Sequence, residues 1–265
     1  MPAVNPTRLK FQLEALLSNF VSPQEFHRQL QDLFNLYANR ALRFGESSPT
    51  MPLLPMYNPP QPVLRQLLLS LIPYIKEHPV NALNLADELW NDDYFEIKQI
   101  AISILGIVPS KNPEAILDRI EEWLSPDLDM DLKKEILSSG LVEIQSTFPE
   151  VWESFIKSLL SQKGPEWVSL GILGLTEGVK NPTYKNLPVI FRLISPLIQD
   201  PLSKHERTLT KLIEAIADRS PTETTFFLKQ ALSITRSQET TRLIKGCLSA
   251  FPEDLRQSLK DSLKK

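Results

Sequence analysis

The chain has 265 residues, with 22 prolines against 8 glycines, a net charge of −3 and one cysteine. So few glycines argue against hairpin-rich sandwiches, barrels and phosphate-cradling loops, which need glycine wherever φ is positive. The single thiol, Cys247, excludes an internal disulfide, and 42% hydrophobic with 23% charged residues is the balance of a chain that buries a core.

Read from the start, residues 1–10 lack the apolar stretch of a signal peptide. The longest apolar run, Leu67 to Ile75, is about half of the ~20 residues a membrane span requires. A cytoplasmic chain without membrane contact is expected. Ser22-Pro23-Gln24-Glu25 has the pattern of a capping box with proline at the first helical position. It precedes Phe26, Leu30, Leu33, Phe34 and Tyr37, apolar at helical spacing. From Arg43 to Pro60 this periodicity fades, and six prolines fall between Pro49 and Pro62. Residues 1–60 are therefore expected to form a helical hairpin and a proline-rich connection, and residues 61–265 a series of helical repeats.

Helical periodicity then continues nearly without interruption. Ile97, Ile100, Ala101, Ile104, Leu105 and Val108 make one apolar face, Trp152, Phe155, Ile156, Leu159 and Leu160 another, and Leu187, Ile190, Ile194, Leu197 and Ile198 a third. Asn112-Pro113, Gly164-Pro165 and Ser220-Pro221-Thr222-Glu223 read as helix starts. Pro73, Pro188 and Pro196 fall inside apolar runs and are expected to kink or end helices. No segment alternates apolar and polar residues as a half-buried strand does. Starts placed near 61, 80, 93, 113, 130, 148, 165, 184, 204, 222, 236 and 252 give two helices per roughly 30–38 residues. The expected fold is all-α, a curved α-solenoid of helical hairpins; a compact irregular helical domain is the alternative.

Charge is unevenly spread. Residues 81–160 carry −10, whereas residues 201–265 carry +4. The C-terminal cations Lys204, Arg207, Lys211, Arg219, Arg236, Arg242 and Lys245, with Arg43 and Arg65, are the candidate set for nucleic-acid or anion binding, set against the plainer reading of solvated helix surface. Asp127, Asp129 and Asp131 have calcium-loop spacing, but Leu132 stands where that loop needs glycine and Ser138 where it needs glutamate, so an acidic helix start is the better reading. His27, His78 and His205 share no metal-ligand spacing. No metal or cofactor is expected. Gly171, Gly174 and Gly178 suit close helix packing better than a dinucleotide loop, Cys247 reads as a core thiol, and the four tryptophans as packing residues.

Three stretches resemble a known family. Pro62-Val63-Leu64-Arg65 is similar to a Pro-x-Leu-Arg helix start. Leu85-Ala86-Asp87-Glu88-Leu89-Trp90 followed by Tyr94-Phe95-Glu96-Ile97-Lys98-Gln99-Ile100-Ala101-Ile102 is similar to a Leu-Trp helix end and a Glu-x-x-x-x-Ala-Ile start. Lys211 to Arg219 is a looser match to a Lys-Ala-Ile-x-Trp-Ala-Leu-Arg-Glu stretch. Together, over roughly residues 60–235, the chain resembles the HEAT-like DNA alkylation-repair proteins of the AlkD type.

The resemblance implies HEAT-like repeats and a concave cleft that, in active members, excises cationic alkylpurines with an aspartate and two tryptophans. A carboxylate stabilises charge developing on the sugar, and aromatic faces hold the cation. Carried over, the aspartate falls at Glu135, the first tryptophan at Asp131 and the second at Ala215. Two readings follow. One is a binding scaffold without catalysis, holding a protein partner or DNA on its concave face. The other is a DNA glycosylase with Glu135 or Asp131 as the carboxylate and a nearby tryptophan as the aromatic face.

Overall fold

The structure, a computed structural model, describes residues 4–39, 54–109 and 111–264. Among these every regular element is helical, as the periodicity predicts, and there is no strand. Two compact units divide the chain after Thr147.

The first unit contains α1 (Pro6–Leu17), α2 (Pro23–Tyr37), α3 (Gln61–Glu77), α4 (Pro79–Trp90), α5 (Phe95–Ile107), α6 (Glu114–Trp123), α7 (Met130–Leu137), a 3-10 turn at Ser139–Leu141 and α8 (Val142–Thr147). Its centre is α5, which packs on α3, α4, α7 and α8. Ile97, Ile100, Ala101, Ile102, Ile104 and Leu105 are all buried, so α5 is apolar on nearly every side rather than along one stripe. Each such isoleucine or leucine stabilises the fold by about 1.5–3 kcal/mol relative to exposure. Residues 54–60 are pinned to this helix. Glu96, itself buried, accepts the N–H groups of Tyr57 (3.0 Å) and Asn58 (2.7 Å), and the Phe95 N–H donates to the Pro55 carbonyl. Helix α2 is joined to the α4–α5 corner by His27, whose ring nitrogens lie 3.2 Å from Glu88 and 2.6 Å from the buried Asp92.

The second unit contains α9 (Pro149–Ser161), α10 (Pro165–Lys180), α11 (Leu187–Gln199), a 3-10 turn at Ser203–His205, α12 (Glu206–Arg219), α13 (Pro221–Ile234), α14 (Gln238–Gly246), a 3-10 turn at Leu248–Ala250 and α15 (Glu253–Lys264). Here α10, α12 and α14 pack in one row, and α11, α13 and α15 in another. Phe191 and Phe227, with ring centroids 4.9 Å apart, bridge α11 and α13. Gly171 lets α9 and α10 approach closely, since a Cβ there meets the Leu160 side chain at 2.6 Å. Cys247 is fully buried, its thiol donates to the Leu243 carbonyl, and burial pushes its pKa up to about 12.

Helix starts at 61, 79, 95, 114, 130, 149, 165, 187, 206, 221, 238 and 253 lie close to the expected positions, whereas the short α8, starting at Val142, has no counterpart among them. The prolines differ in detail. Pro188 occupies the opening turn of α11, where its missing N–H costs nothing, rather than interrupting a helix. Pro73 and Pro196 lie within α3 and α11, and both helices run past them by about one turn. Ser22 and Ser220 are N-caps, but neither side chain accepts a backbone N–H. Glu25 instead accepts from Arg28 and Gln29, and Ser220 donates to Glu223.

Candidate functional site

Helix α7 carries Glu135 and Asp131. It begins at Asp129, whose carboxylate accepts the N–H groups of Asp131 (2.8 Å) and Leu132 (3.4 Å), as an acidic helix start should. Leu132 and Ile136 are buried, which turns Glu135 toward the neighbouring elements. One Glu135 oxygen accepts from the Gln99 amide of α5 (3.3 Å), the other from the Ser139 hydroxyl (2.9 Å). The contact behind this pair is tight. A Cβ on Gly106 would lie 1.8 Å from the Ser139 carbonyl oxygen, so only glycine lets α5 and the 3-10 turn meet there. Asp131 is partly exposed and forms an ion pair with Lys134 at 2.6 Å, one turn along the same helix. Ala215 lies on α12, in the second unit.

Trp90, Trp123 and Trp152 are engaged in packing. Trp90 and Trp123 stack with centroids 4.5 Å apart and planes within 8°. The Lys98 ammonium sits 4.4 Å from the Trp90 ring centre and donates to the Trp90 carbonyl, closing the end of α4. Burial lowers the Lys98 pKa, while Asp92 and Asp93 act to raise it. The chain's own cation therefore takes the cation–π position on that ring. Trp152 is fully buried against Tyr184, at 4.9 Å. Tyr184 donates to Glu153 and the Asn186 carbonyl, and burial holds its hydroxyl far above the usual phenol range. Trp167 is partly exposed.

Arg43 lies outside the described residues. Arg65 is exposed on α3, in the first unit, with no ion-pair partner among the described residues. Lys204, Arg207 and Lys211 are exposed where α12 begins, with Arg207 and Lys211 one turn apart on one side of it. Arg219 is engaged within the fold. Its guanidinium donates to the carbonyls of Val179 (2.8 Å), Asn181 (3.2 Å) and Tyr184 (2.7 Å), satisfying main-chain acceptors around the C-terminus of α10. Arg236, Arg242 and Lys245 are brought together. They line an open depression of about 450 Å³ at the start of α14, with Ser237, Gln238 and Thr241. Those three polar residues carried no advance signal, because Ser, Gln and Thr are scattered through the whole sequence. Arg236 donates to the Ser262 carbonyl at 3.0 Å, and Arg242 pairs in a two-pronged contact with Glu206.

Among the described residues no group of three His, Cys, Asp or Glu side chains is arranged to hold a metal ion, and no helix is long and apolar enough to cross a membrane. Comparison with curated proteins and with solved structures found no match. A family model, that of the DNA alkylation repair enzymes, matches residues 50–235. That stretch takes in Glu135, Asp131, the stacked tryptophans and the whole of α12, and it spans well over half of the sequence. The chain belongs to the DNA alkylation repair enzyme family.

Proposed function

We propose that this protein is a binding member of its family, a HEAT-like scaffold that holds DNA or a protein partner without excising a base. The state of Glu135 carries the reading. A carboxylate that stabilises a sugar cation acts by facing it across an open site, held there rather than drawn toward donors of the fold. Both Glu135 oxygens instead accept hydrogen bonds from neighbouring elements, at 3.3 and 2.9 Å. The Trp90–Trp123 stack already has a cation of its own. Exposed cations along α12 and at α14 suit a partner with an anionic surface, and DNA is the partner with the densest one.

Purified protein incubated with DNA bearing cationic alkylpurines is expected to release no base above background. Robust excision that Glu135→Gln abolishes would overturn the scaffold reading. Membership of the repair-enzyme family favours that second reading, a DNA glycosylase for cationic alkylpurines with Glu135 or Asp131 as its carboxylate.

A further inference from the structure

We propose that the depression at the start of α14 binds a single terminal phosphate group, a phosphomonoester at a DNA end or free phosphate. The DNA arm of this inference rests on the binding reading above. The family match ends at residue 235 and the depression begins at Arg236, so the site lies outside the matched segment.

Three observations carry the inference. First, the cations converge. Arg207 and Lys211 are spaced along α12 and suit successive phosphates of a strand, whereas Arg236, Arg242 and Lys245 surround one open depression. Second, both guanidinium groups are anchored by other elements. Arg236 donates to a neutral carbonyl, Ser262 on α15, which fixes the fork without neutralising it. Arg242 is fixed by Glu206 on α12. Arginines ordered before the ligand arrives lose less entropy on binding, and their planar donors match phosphate oxygens. Third, the charge fits. Three cations against the one carboxylate that pairs with them leave two positive charges. A phosphomonoester carries about −1.5 to −2 at pH 7, while a backbone diester carries one negative charge. Lys245 has no ion-pair partner among the described residues and supplies a mobile point charge, with the Thr241 hydroxyl and Gln238 amide as neutral donors.

The test compares one duplex in two forms, 5′-phosphorylated and 5′-hydroxyl, by fluorescence anisotropy, and titrates inorganic phosphate while following the backbone amide signals of residues 236–245 by NMR at constant ionic strength. The phosphorylated duplex is expected to bind about tenfold more tightly, through the extra charge-assisted bonds. Inorganic phosphate is expected to shift the 236–245 signals and to erase the difference. Lys245→Gln, which removes no internal bond, and the double variant Arg236→Gln/Lys245→Gln are expected to abolish the shifts and the preference, so that the phosphorylated duplex binds no more tightly than the 5′-hydroxyl one. Equal affinity for the two duplexes with no phosphate-induced shift overturns the phosphate site and leaves the binding reading standing. If neither duplex binds, the DNA reading falls. The phosphate titration then decides alone: shifts lost in Lys245→Gln assign the site to free phosphate, and their absence overturns it.

Discussion

Gly106 sets how Glu135 is held. It lies on α5 where the Ser139 carbonyl approaches most closely, and a methyl group there meets that oxygen at 1.8 Å. Gly106→Ala must push the 3-10 turn away from α5, carrying the Ser139 hydroxyl off Glu135. A loss of about 1–3 kcal/mol or more is expected, visible as a lower urea midpoint at unchanged slope. His205 makes a second residue-scale case. It is almost fully buried, its Nδ1 lies 3.0 Å from the Ser169 hydroxyl, and its Nε2 finds no partner among the described residues. Burial, then the neighbouring Lys204, lower its pKa below the ordinary 6.5, with Glu166 acting the other way. The unfolded chain therefore binds the proton more readily than the folded one. Its stabilising contribution is complete above pH ~6.5 and declines as pH falls from there toward the folded-state value. Urea midpoints of the parent and His205→Gln at pH 7 and pH 5 check this: the parent is expected to lose more stability over that interval than the variant. Neither residue was legible beforehand. Gly106 sits in a run of isoleucines and leucines that reports an apolar helix, not which backbone presses on it, and a lone histidine carries no sign of its burial.

At the scale of elements, helix starts were the readable feature because their causes are local. Proline after Ser22, Gly164 and Ser220 opens α2, α10 and α13, and Gly164 takes φ 117°, which a residue with a side chain rarely adopts. Caps were less readable, since a serine or glutamate picks among several partners within reach once the neighbouring helices are in place. Arg219 illustrates the same limit. In the sequence it is one more cation of a basic tail; in the fold it joins α12 to the carbonyls where α10 ends. Its removal leaves those acceptors without their charged donor. Arg219→Ala is expected to cost about 1.5–3 kcal/mol, whereas Arg207→Ala, on open helix surface, stays within about 0.5 kcal/mol. Thermal melts of the two variants side by side test the assignment, and Arg219→Lys is expected not to restore stability, because an ammonium lacks the planar fork that spans three carbonyls.

On the scale of the whole molecule, helical periodicity repeated along the chain pointed to the fold class, and the charge count gave a direction that no single motif did. A segment at −10 repels a polyanion, so a DNA strand is expected to follow residues of the C-terminal part, where the balance is +4. This makes a quantitative demand on binding. Each phosphate neutralised by a lysine or arginine releases counterions, and log K falls with log salt with a slope of about −0.9 per contact on duplex DNA. Arg207→Gln/Lys211→Gln removes two exposed cations from α12. The slope measured by anisotropy between low and moderate salt is therefore expected to become shallower by about 1.8, with affinity reduced alike for every duplex sequence. Arg219→Lys, which keeps the charge at a site already committed to carbonyls, is expected to leave the slope unchanged. A double variant whose slope equals the parent's would place the DNA path off α12 and return those cations to solvated surface.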